Sequence, residues 1–208
     1  MAKVVITRDD PKAWIEHVRT ELGLLKAAKI TVGVLGSTDS ELLSIARVHE
    51  YGATITPKHA RNLAIPLKPS MSGKSPRDVE DGWILKSDGK LFVVRNKSAH
   101  ELDLLFMLVP RVTIPERSFI RASYDSQKNL ITEACKRAVT QVIFNDLSAR
   151  EAADHIGVAC VGLVKRYMRS AGYAPKSSVT LTSAPGKTTP LIRSGRLINS
   201  IAYEVTGI

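Results

Sequence analysis

Apolar residues recur at helical spacing in three long stretches, and each stretch predicts a helix with one buried face. The first follows Pro11, which suits the first turn of a helix, and its apolar residues run through 14–25. The second covers 119–144 and predicts one long helix, ended by Asn145 and Asp146. The third covers 149–170 and gathers basic residues at its C-terminal end, where the helix dipole favours them.

Alternating apolar and polar residues predict strands between these helices. Residues 29–35 alternate as a half-buried strand, and 83–86 and 90–95 flank an Asp-Gly turn, which is typical of a hairpin. Residues 102–112 are apolar enough for a further strand, with a helix as the alternative. A short helix over 41–50 ends near Gly52, where glycine suits a C-cap, and a short helix and a strand are expected near 191–205.

Two stretches rich in proline, glycine and serine, 66–81 and 173–190, predict mobile polar loops that can become ordered on a partner. The resulting expectation is an α+β fold. A small mixed or antiparallel sheet packs against two long helices and a short N-terminal helix. We expect a single domain over 1–208, with a loop and hairpin insertion at about 66–112.

The net charge of +10 is unevenly distributed along the chain. Basic residues outnumber acidic ones by nine to four over 51–100 and by seven to one over 161–208. Such blocks can meet nucleic acid or an acidic protein surface, and a solvated face is the alternative. The longest apolar run, 104–109, is too short to cross a bilayer, so no membrane partner is expected. Cys135 and Cys160 are predicted to be buried free thiols, which fits a reducing cytoplasm.

The sequence contains partial matches to catalytic and ligand-binding motifs, but the residues are not at the spacing that those motifs require. The Gly-Lys-Ser run at 73–75 and the Gly-Lys-Thr run at 186–188 lack the earlier glycine of a phosphate-binding loop, since Lys68 and Leu181 stand at that position. The histidines and cysteines fall in no metal-binding spacing. We therefore expect no enzyme, no metal and no cofactor. A cell-wall hydrolase has the least support, because no acid and base pair stands out.

Four segments, in order along the chain, resemble a known family. They read VHEYGATI at 48–55, NLAIPL at 62–67 with LFMLV at 105–109, VTIPERSFIR at 112–121, and TPLIRSGRLINSI at 189–201. Together they resemble the virion-morphogenesis family of tailed bacteriophages, described as tail-completion or neck proteins. The sequence departs from the family pattern at Glu116 and Ser118, where small residues or proline are common. It also departs at 193–194, where an acidic residue and threonine are usual.

This resemblance implies a structural virion protein that completes the tail end or neck and helps to join tail to head by protein binding. It implies a homo-oligomeric ring, hexameric or otherwise, around the DNA channel, with a tail terminator or head connector as partner and genomic DNA as a further contact. Its expected location is the virion, at the neck or the head-proximal tail end, and the host cytoplasm during assembly. The alternative is a basic nucleic-acid-binding protein, although few aromatic residues interleave the basic blocks.

The motifs also have a structural rationale of their own. Pro115 fixes the angle at which the chain enters a helix anchored by Phe119, and Gly195 permits a tight turn. The motif arginines either bind a neighbouring subunit or tail partner, or lie exposed beside turns that define the fold. The predicted interface and motif residues are Tyr51, Gly52, Pro115, Arg117, Phe119, Arg121, Arg193, Gly195, Arg196, Leu197 and Ser200.

Overall fold

The structure, a computed structural model, describes residues 10–35, 39–98, 100–173, 191 and 195–208. It confirms the expected α+β class, with small antiparallel sheets packed against helices. The chain divides into two compact units, here called the helical unit (Met1–Ala46, Ser118–Ala171 and Ser194–Ile208) and the sheet unit (Arg47–Arg117 and Gly172–Arg193). The single domain stays a prediction, and the predicted insertion at 66–112 lies within the sheet unit.

Six α-helices lie in the described residues, and two of them begin at residue types that commonly cap helices. Asp10 caps the first helix, since its carboxylate accepts hydrogen bonds from the N–H groups of Lys12 and Ala13. Ser148 and Glu151 form a capping box at the start of the longest helix. The helices are α1 (Pro11–Ala27), α2 (Ser40–Tyr51), α3 (Arg121–Ser126), α4 (Lys128–Phe144), α5 (Ala149–Ser170) and α6 (Arg196–Asn199).

The single long helix predicted over 119–144 is wrong, because the chain breaks at Gln127 between α3 and α4. Gln127 has φ −122° and ψ 19°, outside helical values. Its side-chain amide donates to the Ser123 hydroxyl at 2.8 Å and to the Leu163 carbonyl of α5 at 3.3 Å. A side chain that hydrogen-bonds to the backbone in this way competes with continuation of the helix. The spacing of apolar residues alone could not predict this break.

A two-stranded antiparallel sheet completes the helical unit. Strand β1 (Lys29–Val34) pairs with β8 (Ile201–Thr206), from Lys29 opposite Thr206 to Val34 opposite Ile201. The strands pack on α5, and a core cluster joins α4 to α5 through Ala138, Val142, Ala152 and Ile156. The predicted strand at 29–35 and the final helix and strand are confirmed.

The sheet unit is built on a four-stranded antiparallel sheet and a two-stranded ribbon. The predicted hairpin is confirmed, and its turn residues Asp88 and Gly89 have φ of 49° and 72°, as tight hairpin turns require. The sheet has the order β3-β6-β5-β4, from β3 (Leu63–Pro66), β4 (Trp83–Ser87), β5 (Lys90–Ser98) and β6 (Glu101–Val109). The ribbon pairs β2 (Ala53–Ile55) with β7 (Val112–Ile114).

The loop predicted at 66–81 is mostly exposed, but two of its side chains pack on the four-stranded sheet, and its mobility stays a prediction. It contains two 3-10 turns, Pro69–Met71 and Pro76–Asp78, and the second is closed by a capping box from Ser75. Met71 is buried, and with Val79 it packs against Val93, Leu105 and Phe106 of the sheet. The polar composition of this loop predicted exposure to solvent along its whole length, but two apolar side chains within the loop cover one face of the sheet. Residues 174–190 of the second predicted loop lie outside the described residues.

Candidate functional site

The first and third family-like segments pair with each other in the sheet unit. Strands β2 and β7 place Ala53 opposite Ile114, and Gly52 lies immediately before this pair with φ 70°. A Cβ added at Gly52 would lie 3.0 Å from the Glu116 nitrogen and 3.1 Å from the Ile114 oxygen. Glycine is therefore required here twice, for its left-handed backbone and for the close approach of another chain segment.

Arg117 lies at the same junction, and the structure corrects its predicted role as an exposed contact. Its side chain is buried, with 8% of the residue exposed, and its N–H donates to the His49 carbonyl at 2.7 Å. Burial lowers the pKa of the Arg117 guanidinium, and burial together with the Arg117 charge lowers the pKa of His49. Arg117 thus contributes to the interior of the sheet unit and does not extend into solvent.

The two parts of the second family-like segment pair with each other as neighbouring strands. Strand β3 from NLAIPL runs antiparallel to β6 from LFMLV, with Ile65 opposite Met107 and Pro66 opposite Phe106. Phe106 is 1% exposed and belongs to the core of the sheet unit. Two stretches separated in the sequence by two 3-10 turns and the β4–β5 hairpin are therefore neighbours in one sheet.

The remaining part of the third segment enters the helical unit. Phe119 is fully buried, as expected of an anchor, and Arg121 is exposed at the first residue of α3. Pro115 and Tyr51, by contrast, are exposed in the sheet unit. Of the predicted residues, the sheet unit holds Tyr51, Gly52, Pro115 and Arg117, and the helical unit holds Phe119, Arg121, Gly195, Arg196, Leu197 and Ser200.

The fourth segment is described at 191 and from 195 onwards, so the prediction for Arg193 falls outside the described residues. Gly195 has φ 75° and precedes α6, and Leu197 is buried, which confirms the predicted turn and core contact. The Ser200 hydroxyl donates to the Leu197 carbonyl at 2.9 Å. Arg196 is exposed and forms ion pairs with Asp39 at 2.7 Å and Glu41 at 3.6 Å, near the start of α2.

One feature that the sequence prediction missed is a buried carboxylate in the sheet unit. Asp103 is 6% exposed and forms ion pairs with Lys68 and with Arg95, whose Nη2 lies 3.2 Å from its Oδ2. The hydrogen bond from Lys68 is the main cause that lowers the pKa of Asp103, and Arg95 acts in the same direction. The signal in the sequence was a lone acidic residue within the apolar run 102–109.

A second missed feature is an open cavity of about 560 Å³ in the helical unit, lined by β1, α3, α4 and α5. Its walls are mainly apolar, with Ile120, Ile131 and Leu163 among them. Cys160 also lines it. Cys160 and Cys135 are free thiols, half-buried where full burial was predicted, and burial raises the pKa of Cys160. Its walls come from four separate elements, so no single sequence motif encodes it.

These features define an α+β protein with buried structural junctions, exposed apolar residues and an open cavity in the helical unit. In the described part of the chain, no cluster of three or more His, Cys, Asp or Glu residues can hold a metal ion, and no helix is long and apolar enough to span a membrane. No family model matches the chain, and neither a curated protein nor a solved structure matches it significantly.

Proposed function

We propose that this chain is a structural virion protein of a tailed bacteriophage that acts at the tail end or neck and joins tail to head by protein binding. The observation that carries the proposal is the pairing of the family-like segments. Residues 53–55 of the first segment pair with 112–114 of the third, and 63–66 pair with 106–109 within the second. A resemblance carried by segments that are distant in sequence has more weight when the folded chain brings those segments into contact. Here the first and third segments meet where Gly52 approaches Glu116.

Assembly into a ring needs two different surfaces on each copy, because neighbours in a ring meet head to tail. Tyr51 is 62% exposed and Ile55 is 44% exposed, and both belong to the first family-like segment. Aromatic residues are enriched at protein interfaces. The apolar cavity of the helical unit offers a surface of different shape, of a size that admits apolar side chains. These two surfaces support a head-to-tail contact.

The decisive experiment is electron microscopy of lysates from phage that lack this gene. Filled heads lying beside separate, full-length tails are the expected result, because a missing joining protein leaves both halves complete. Normal joined particles would reject the proposal.

Complementation with point variants then tests the surface itself. Tyr51→Ala should fail to restore joined particles while the purified variant keeps its thermal stability, since the side chain is mostly exposed. Phe144→Ala is the matched control, because Phe144 is an aromatic residue with 57% exposure that lies outside the family-like segments. Equal loss in both variants would remove Tyr51 as a specific contact.

A nucleic-acid-binding function is the second candidate, and the exposed basic residues of the sheet unit favour it. Three of the nine basic residues over 51–100 are engaged with Asp103 or Glu101. The other six are exposed and form no ion pair with another described residue: Lys58, Arg61, Lys74, Arg77, Lys86 and Lys90. Fluorescence anisotropy with duplex DNA tests this function. Binding that falls steeply with added salt would favour it, and no binding at low salt would exclude it.

A further inference from the structure

Helices α4 and α5 form an antiparallel helical hairpin, and small residues lie where the two helices meet. Ala138 and Val142 of α4 form one buried cluster with Ala152 and Ile156 of α5. Small side chains at such a contact let two helix backbones approach closely. A disulfide bond between helices needs this approach, because it joins residues whose Cα atoms lie about 4.4–6.8 Å apart.

One printed contact fixes which residues of the two helices face each other. Nδ1 of His155 on α5 lies 3.2 Å from Oε1 of Gln141 on α4. Cys135 comes six residues before Gln141, and Cys160 comes five residues after His155. In antiparallel helices, equal steps away from the connecting loop lead to residues at the same level. The two cysteines are therefore at the same level of the helical hairpin, to within one residue.

Both cysteines also lie on the facing sides of their helices. Cys135 comes seven residues before Val142, and Cys160 comes four residues after Ile156, spacings that return to the same helix face. Both cysteine side chains pack against the buried cluster that joins the helices. Burial is the main cause that raises the pKa of Cys160, and the neighbouring Cys135 acts in the same direction. The two thiols are thus close enough to interact.

We propose that Cys135 and Cys160 form a disulfide bond between α4 and α5 when the folded protein meets a small-molecule disulfide such as oxidised glutathione. Cys160 lines the open cavity of the helical unit, so a small molecule can reach its sulfur. The Cys160 thiolate attacks the oxidant, which forms a mixed disulfide and releases one glutathione thiolate. The Cys135 thiolate then attacks the Cys160 sulfur and releases the second. Two protein thiols are oxidised, one glutathione disulfide is reduced, and the two thiol protons pass to the released thiolates.

The bond makes the helical unit sensitive to the redox state of its surroundings. Disulfides are rare in a reducing cytoplasm and persist on virions and other extracellular proteins. For a virion protein, which is the function proposed above, the chain assembles with both thiols reduced and gains the bond after release from the cell. The bond then ties together two helices that both line the cavity.

The first test treats the purified, folded chain with oxidised glutathione and maps the product. Trypsin releases Cys135 within residues 129–136 and Cys160 within residues 151–165, so the bond should join these two peptides until a reductant is added. The intact chain should lose the mass of two hydrogen atoms and retain no glutathione. Its unfolding temperature should rise by about 5–15 °C, and a reductant should reverse the rise.

Two variants separate the bond from other oxidation products. Cys135→Ala leaves Cys160 without a second thiol, so this variant should retain one glutathione on Cys160 and gain no thermal stability. The matched control, V158C/C160A, moves the cysteine of α5 to a position that is 59% exposed. It keeps two cysteines on the same two helices, but the cysteine at 158 should form no bond to Cys135.

Two thiols that stay free in the folded wild-type chain, while the same oxidant links them in urea, would overturn the proposal, because the fold would then hold them apart. Disulfides between chains in place of the internal bond would overturn it equally. Equal linkage in V158C/C160A would contradict the proposed register of α4 and α5. None of these outcomes depends on phage assembly, so a failure of the joining function is scored separately.

The step after release has its own test. Alkylation of intact particles before they are disrupted traps the thiols as they are, and the linked peptides should be recovered from particles but not from infected cells. Free thiols in the particles would reject this step, whatever the purified chain shows.

Discussion

The two units of this protein bury different kinds of residue. Where α4 and α5 pack in the helical unit, the buried positions include Gly157 and five alanines, so neighbouring backbones approach closely at these positions. Both units bury large apolar side chains, such as Phe106 in the sheet unit and Phe119 and Met168 in the helical unit, but the described part of the sheet unit has no such row of small residues. The sheet unit also holds all the buried charged residues of the described chain, namely Glu50, Asp103 and Arg117. The helical unit should therefore be sensitive to added volume at its small buried residues, and the sheet unit to acid and to the loss of its largest core side chains.

The largest expected effect is in the core of the sheet unit. Phe106→Ala removes a side chain that is 1% exposed and should lower the free energy of unfolding by about 3–5 kcal/mol, because it leaves a cavity. Urea denaturation measures the loss. Phe92→Ala, at a half-buried position on the neighbouring strand, should cost clearly less. Equal losses at the two positions would break the proposed distinction between core and surface in this sheet.

The helical unit offers a matched pair of glycines on one helix. A Cβ at Gly157 would lie 2.3 Å from Cδ2 of Tyr203, so Gly157→Ala should destabilise the protein by about 1–3 kcal/mol. Gly162 has nothing within 4 Å of that position. Gly162→Ala should therefore stabilise the protein by up to about 1 kcal/mol through helix propensity. Thermal unfolding of both variants measures these changes in stability. A change of the same sign in both variants would contradict the close packing of α5 on β8.

Acid should act first on the sheet unit. The pKa of His49 is lowered from 6.5, so the unfolded chain takes up this proton before the folded chain does. Stability from this group is complete above pH 6.5 and is lost as the pH falls below it. The lowered pKa of Asp103 has the same consequence below 3.8. His49→Gln should abolish the first loss and leave the second.

Hydrogen exchange followed residue by residue would locate this acid effect. Amides of β5 and β6 should lose protection at a higher pH than amides of α5. Loss in the reverse order would contradict the assignment of acid sensitivity to the sheet unit.

The smallest expected effect concerns Arg196, whose ion pairs are exposed. Arg196→Ala should change the free energy of unfolding by about 0–1 kcal/mol, since solvent screens the attraction to Asp39 and Glu41. Arg196→Lys serves as the control that keeps the charge. A large loss of stability in thermal melts would show that this surface pair matters more than exposed pairs usually do.

Sequence patterns predicted the individual elements well where local chemistry was strong. The helix at 149–170 and the hairpin around Asp88-Gly89 were placed correctly, because a capping box and a turn dipeptide act within a few residues. For the candidate site, the turns at Gly52 and Gly195 and the anchor Phe119 were identifiable for the same reason. The burial of Arg117 was not identifiable, since it depends on segments distant in sequence, such as His49, whose carbonyl accepts a hydrogen bond from the Arg117 backbone N–H.

By itself, then, the sequence determined the α+β class, most helix and strand positions and the glycines that turn the backbone. Only the tertiary structure decided the pairing of β1 with β8, the break at Gln127, the packing of Met71 over a sheet and the ion pairs of Asp103. The physical reason is the distance along the sequence between the residues that interact. Capping, turn geometry and apolar period are properties of neighbouring residues, whereas burial and charge pairing are set by segments that meet only when the chain has folded.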